Sequence, residues 1–438
     1  MLIKINIILI IIFILWIFSG QYIFPAVIPY DSWRIIEVLL LIWLANQLLF
    51  MRQNIQLPLQ HQWLIAMMLA LMLYSSYCAL QPKIAITDAV LQFLLCTSLY
   101  ICTVQANLHP QFFLNASKII SLLPLFSLIF LPVSIVQQLQ GNPIQWYGYF
   151  PNYRMLDDAL LPCLFLVWFW QSTTTNKILQ FSLTLVATLY NLSFLLNGAR
   201  ANLLAIFSTL LLLGLFYRQS FRVILPSIIS TLAACSLYAI LTTLQIENIG
   251  SPLIRTSSSG RIDLWIKSIQ LWLDAPILGV GGGNFIFQQP YLFSAHPHNW
   301  ILQWLAEWGM AGLIMTFFLI YIIKKIYDLH QQLPIFLIGF LISFLMNILF
   351  SGTLIYPLSQ ILNLWGLMLI LNAMLQQSTP MIWTQKKPYL LALIILFSSI
   401  TMITLHLEDL TAQHYWLPDC IYPPRFWLDA TQLHLCGG

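Results

Sequence analysis

The sequence predicts an all-α integral membrane protein with about 12–13 transmembrane helices and one large periplasmic loop containing an interfacial amphipathic helix. Three observations carry this. Of 438 residues, 60% are hydrophobic and 7% are charged, whereas soluble proteins carry roughly 25% charged residues. The mean hydropathy is +0.83. Apolar runs long enough to cross a bilayer follow one another along most of the chain. The net charge of +4 is spread out, so no nucleic-acid partner is expected.

The run after Lys4 lacks a good small-residue cleavage site, Ser19-Gly20-Gln21 being a poor one, so it reads as a retained first span. Further spans are expected near 35–51, 63–80, 86–104, 119–139, 156–171, 178–197, 201–217, 223–244, 300–323, 334–351, 354–375 and 388–405. With the N-terminus inside, ten of the 18 basic residues fall on the cytoplasmic side, nearly all in short loops. Every acidic residue except Asp328 then lies outside. The expected organisation is 1–139, N-terminal spans; 140–244, spans opened by a short periplasmic loop at 140–158; 245–299, the large periplasmic loop; 300–405, C-terminal spans; and 406–438, a periplasmic tail. The expected location is a bacterial inner membrane, with the large loop facing the periplasm.

Within that loop, Ser257-Ser258-Ser259-Gly260 is a flexible turn able to cap a helix. Ile262, Trp265, Ile266, Ile269, Trp272 and Leu273 then repeat at helical spacing until Pro276. Such a helix either lies in the membrane interface or packs on the spans, and both can hold. Cys78, Cys96, Cys102, Cys163 and Cys235 sit in apolar spans and read as packing residues. Cys420 and Cys436 flank the outer tail, where an oxidising compartment permits a disulfide.

In a chain this poor in charge, the polar residues between spans are the candidates for chemistry. Arg200 stands in Asn197-Gly198-Ala199-Arg200 at the outer end of a span, on the face where cations are disfavoured. It either snorkels or binds an anion. Arg154, before the next span, either binds an anion or pairs with Asp157 and Asp158. Arg261 opens the amphipathic helix, against the helix dipole, which suggests an anionic partner. Arg255 and Lys267 are weaker candidates. The glycines of Gly279-Val280-Gly281-Gly282-Gly283-Asn284 lack the Lys-Ser/Thr of a nucleotide loop. They read instead as close backbone approach to a ligand or the membrane. His296 and His298 lack the neighbouring ligands of a metal site, so no metal is expected. A histidine serves better as a proton acceptor, with Asn299 or Glu307 assisting it. Arginine forks suit phosphate oxygens and a histidine suits activation of a hydroxyl.

Three stretches carry a resemblance: Asn197–Ala205, Ser259–Phe285 and His296–Ile314, with Phe150–Arg154 upstream. They resemble the O-antigen ligase family, which also holds bacterial protein O-oligosaccharyltransferases and O-antigen polymerases. The resemblance implies a membrane glycosyltransferase that moves a glycan en bloc from undecaprenyl pyrophosphate to an acceptor hydroxyl, with inversion and without metal or other cofactor. The acceptor would be a lipid A-core sugar, a Ser/Thr of a pilin-like protein, or a growing glycan in a polymerase. It further implies that Arg154, Arg200 and Arg261 bind the pyrophosphate and that His298 is the base. His296 is the rival base, and the spacing to Asn299 favours His298. A lipid-linked glycan flippase or other transporter is the alternative of another class. A transporter would carry broken, charged segments at mid-membrane in related halves, whereas the charges here gather at one face.

Overall fold

The computed structural model describes residues 2–19, 29–49, 54–55, 59–140, 150, 152–217, 221–244, 260–288, 294–377, 383–384 and 389–405. In chain order the helices begin with α1 (Leu2–Phe18), α2 (Pro29–Asn46), α3 (Leu59–Cys78), α4 (Pro82–Leu108), α5 (Pro110–Leu122) and α6 (Leu125–Leu128). They continue with α7 (Phe130–Leu139), α8 (Tyr153–Thr173), α9 (Lys177–Asn197), α10 (Arg200–Phe216), α11 (Phe221–Thr243) and α12 (Arg261–Asp274). The last are α13 (Trp300–Trp308), α14 (Met310–Asp328), α15 (Ile335–Phe350), α16 (Pro357–Gln377) and α17 (Tyr389–Leu405). Two short strands, Asn54–Ile55 and Trp383–Thr384, pair antiparallel. The protein is an all-α integral membrane protein. Among the described residues, six helical stretches are long and apolar enough to cross a membrane, and five shorter apolar helices accompany them. Outward-facing Ile8, Ile12, Phe207, Leu211, Phe317 and Phe397 give it an apolar exterior, which lipid tolerates and water does not.

The chain divides into two compact units. The first holds Met1–Ile23, His109–Thr256 and Leu333–Ile370. Here α8 packs on α5, α9 and α15, while α10 packs on α15. Trp168 anchors the core: it is fully buried, edge-on to Phe165 at 5.0 Å, and its indole N–H donates to Ser230 Oγ at 3.3 Å. The second unit holds Phe24–Leu108, Ser257–Gln332 and Leu371–Gly438. Here α4 packs on α2, α3 and α17, and α13 packs on α12, α14 and α3.

Each expected span overlaps helix, with informative differences. The expected span 119–139 belongs to a broken run, α5 to α7. Pro124 caps α6 and Pro132 sits in the first turn of α7, the positions where a missing N–H is tolerated. The expected span 300–323 is two helices, because Gly309 turns the chain with φ of 51° between α13 and α14. α2 starts at Pro29 rather than near 35, and so carries Arg34 and Glu37 inside the helix. They form a buried ion pair, with Arg34 Nη2 also donating to Tyr30 Oη at 3.0 Å, as charge in an apolar setting requires. On α12, the buried stripe is Leu264, Ser268 and Leu271, packed with Phe285 and Ala306. The expected apolar face is split: Ile262, Ile266, Ile269 and Leu273 point outward. The helix therefore packs on the protein through one stripe and shows an apolar stripe outside.

Candidate functional site

In the first unit, the Asn197–Arg200 turn is built on the start of α8. α9 ends with Gly198 in the left-handed region, φ 63°, and the Ala199 N–H donates to Phe194 O at 2.9 Å. That closure satisfies helix-end carbonyls and needs glycine's freedom. It delivers Arg200 to the first position of α10, whose start has no side-chain cap. Asn197 Nδ2 donates to Asp157 Oδ1 at 2.7 Å. Asn202 Nδ2 donates to Asp157 O at 2.9 Å and to Asp158 Oδ1 at 3.4 Å. Asn347 Nδ2 donates to Asp158 Oδ1 at 3.3 Å, and Ser351 Oγ to Asp158 Oδ2 at 2.6 Å. Both aspartates are buried.

Arg154 is the second residue of α8, with Asn152 capping the helix by accepting the Arg154 N–H at 2.9 Å. Its guanidinium lies over the Tyr153 ring, 5.8 Å from the centroid, and interacts electrostatically with Tyr356 and Asp158. Among the described residues, no carboxylate lies within the 4.0 Å of an ion pair from Arg154. Asp157 and Asp158, weighed from sequence as its partners, interact with Arg154 electrostatically without contact and take their hydrogen bonds from amide and hydroxyl donors.

In the second unit, Arg261 is the first residue of α12, which also begins without a side-chain cap, on Gly260 with φ 73°. One turn along, Trp265 Nε1 donates to Pro297 O at 3.0 Å. This bond ties the arginine-bearing helix to the histidine turn. His298 has φ 54°, the positive-φ residue other than glycine among the described residues. Such a conformation is strained for histidine, and strained residues gather at functional sites. The His298 N–H donates to His296 Nδ1 at 3.2 Å, and the two rings lie 4.2 Å apart, edge to face. His296 is buried while His298 is half-buried. A neutral His296 accepting at Nδ1 carries its proton on Nε2. His296 thus shapes the turn, and His298 presents its ring.

Asn299 caps α13 by accepting the Leu302 N–H at 3.0 Å. Glu307 lies in the last turn of this nine-residue helix, not part-way down a long span, and is fully buried. Gln303 Nε2 donates to Glu307 Oε2 at 3.2 Å. The glycine run approaches this same helix end. Val280 N–H donates to Ala306 O at 3.0 Å and Gly281 N–H to Glu307 O at 2.9 Å. A Cβ on Gly279 would lie 2.5 Å from the Glu307 carbonyl, and one on Gly282 would lie 2.0 Å from the Trp308 ring.

Arg154 and Arg200 therefore belong to the first unit, and Arg261, His296, His298, Asn299 and Glu307 to the second. Arg255, Cys420 and Cys436 lie outside the described residues. Sequence reasoning passed over Asn202, Asn347, Ser351 and Tyr356, which come from distant helices. It also missed Asp88, whose Oδ2 sits where a Gly282 Cβ would be 2.7 Å away. Among the described residues there is no group of three or more His, Cys, Asp or Glu able to hold a metal.

The fold and these polar turns define a multi-pass, all-α membrane protein with arginines at helix starts and a strained histidine turn. Residues 182–317 match the family model described as O-antigen ligase, which supports membership of the chain in the O-antigen ligase family. The match supports a membrane glycosyltransferase of the O-antigen ligase/polymerase kind. It covers about a third of the chain and includes Arg200, Arg261, His298 and Glu307 but not Arg154. No curated protein and no solved structure matches the chain.

Proposed function

We propose that this protein transfers a glycan en bloc from undecaprenyl pyrophosphate to an acceptor hydroxyl on the periplasmic side of a bacterial inner membrane. The carrying observation is that Arg154, Arg200 and Arg261 all occupy the first turn of a helix. A cation there works against helix stability, but it adds to the positive helix end in holding an anion. Guanidinium forks suit the oxygens of a pyrophosphate. His298 supplies the base: the acceptor oxygen attacks the anomeric carbon, the proton passes to His298, and the C–O bond to pyrophosphate breaks with its electron pair. Attack opposite the leaving group inverts the anomeric centre. The acceptor we favour is a lipid A-core sugar or a Ser/Thr of a pilin-like protein, and a growing glycan is the polymerase alternative.

The test is reconstitution in proteoliposomes with labelled lipid-linked glycan and each acceptor in turn. Transfer to one acceptor class in wild type is expected. His298→Ala should lose about 10²–10⁴-fold in transfer, the worth of a general base, while still binding donor. Loss of donor binding is expected instead from Arg200→Ala and Arg261→Ala. An active His298→Ala, or arginine variants that bind donor as wild type does, overturns these assignments.

A further inference from the structure

Helix spacing places Arg154 and Asp158 four residues apart, where opposite charges ordinarily pair. In this fold Asp158 instead takes its hydrogen bonds from Asn347, Ser351 and Asn202. Asp157 takes its side-chain bond from Asn197, and its backbone carbonyl takes one from Asn202. The two acids are thus held by neutral donors, from the turn that delivers Arg200 and from α15. Asp157 Oδ2 and Asn197 Oδ1 are buried without a hydrogen-bond partner among the described residues. The 2.7 Å bond is thus the side-chain hydrogen bond that ties Asn197 to the first turns of α8, beside those that Asn202 makes there.

We propose that Asp157, acting through Asn197, is a positioning residue that fixes the Arg200 turn for binding a pyrophosphate-bearing lipid. This rests on the reading given under Proposed function. An amide carries no charge of its own, so it can anchor the turn to a carboxylate without neutralising the guanidinium three residues later. A direct arginine–carboxylate pair at the same place would hold the turn equally well but would oppose the anion.

The experiment exchanges the two groups. Asn197→Asp, Asp157→Asn and the double exchange are placed in nanodiscs, and binding of undecaprenyl pyrophosphate is measured beside kcat and KM for transfer. Asn197→Asp sets two carboxylates against each other and should weaken binding about ten-fold or more, the scale of a hydrogen bond to a charged group. The double exchange restores donor to acceptor and should return binding to within about three-fold of wild type, the pair having recovered its charged hydrogen bond. In both, the change should fall on KM more than on kcat. If the single variants bind as wild type does, or if the double exchange stays as weak as Asn197→Asp, the proposal is overturned. Should Asn197→Asp fail to fold, the affinity of the double exchange alone decides by the same three-fold limit. If wild type itself does not bind the probe, the functional reading fails rather than this inference.

Discussion

The Arg200 turn and the glycine run at the end of α13 are held in opposite ways. The first is polar: two buried aspartates receive amide and hydroxyl donors from Asn197, Asn202, Asn347 and Ser351. The second is built of close backbone contact: the glycines lie flat on the last turn of α13. A turn held by side chains fails by degrees as single bonds are removed. A turn held by backbone proximity fails at once when a methyl group intrudes.

The largest expected effect is therefore in the second unit. Gly279→Ala adds a Cβ 2.5 Å from the Glu307 carbonyl at φ 68°, and should destabilise by about 4 kcal/mol or more. Gly214→Ala is the control, since nothing lies within 4 Å of its Cβ. It should stabilise by about 0.5–1 kcal/mol through helix propensity. Thermal unfolding in detergent reads both, and a Gly279→Ala protein as stable as wild type would break the comparison.

In the first unit, Asp158→Ala should cost about 2–3 kcal/mol, because it strands buried donors on Asn347 and Ser351. Asp158→Asn should cost less, since it keeps an acceptor. Melting of both variants as wild type does would mean that charge and hydrogen bonding at Asp158 contribute nothing to this anchor.

The two regions also differed in legibility. Helix-length apolar runs showed the spans, and Pro276 and the Asn197-Gly198 pair marked real ends. The amphipathic helix was visible by its spacing, but its buried stripe was not: Leu264 and Leu271 are chosen by Phe285 and Ala306, which no local pattern announces. Gly309 sat inside an apolar run and concealed the break after α13. The Asp157–Asn197 bond joins residues forty apart in sequence, and only the packing of α8 on α9 brings them together. Three arginines could be chosen by charge and topology, whereas the groups that hold them belong to tertiary structure.

A smaller effect tests whether the two elements of the second unit act as one. Trp265→Phe keeps an aromatic side chain but removes the indole donor to Pro297 O, along with the volume of the second ring. Its expected cost is about 1 kcal/mol of stability. Transfer should fall further, by about ten-fold, because small displacements of a catalytic group are costly. The loss should appear in kcat with donor binding kept. A normal kcat would show that the tie to α12 does not set the position of His298.

The smallest effect has the opposite sign. His298 holds φ at 54°, which costs a side-chain-bearing residue about 1 kcal/mol relative to a relaxed backbone. Glycine adopts this conformation freely. Its greater freedom in the unfolded chain offsets part of that relief, so His298→Gly should leave the protein as stable as wild type or more stable by up to about 1 kcal/mol. The same substitution removes the imidazole and should abolish transfer. His296→Gly is the contrast: His296 is buried and its Nδ1 accepts the His298 N–H, so its loss should destabilise. Unfolding midpoints and transfer rates of the two variants, measured together, separate a histidine kept for chemistry from one kept for shape. A His298→Gly protein that melts well below wild type would place His298 with His296 among the structural residues, and the base would have to be sought elsewhere.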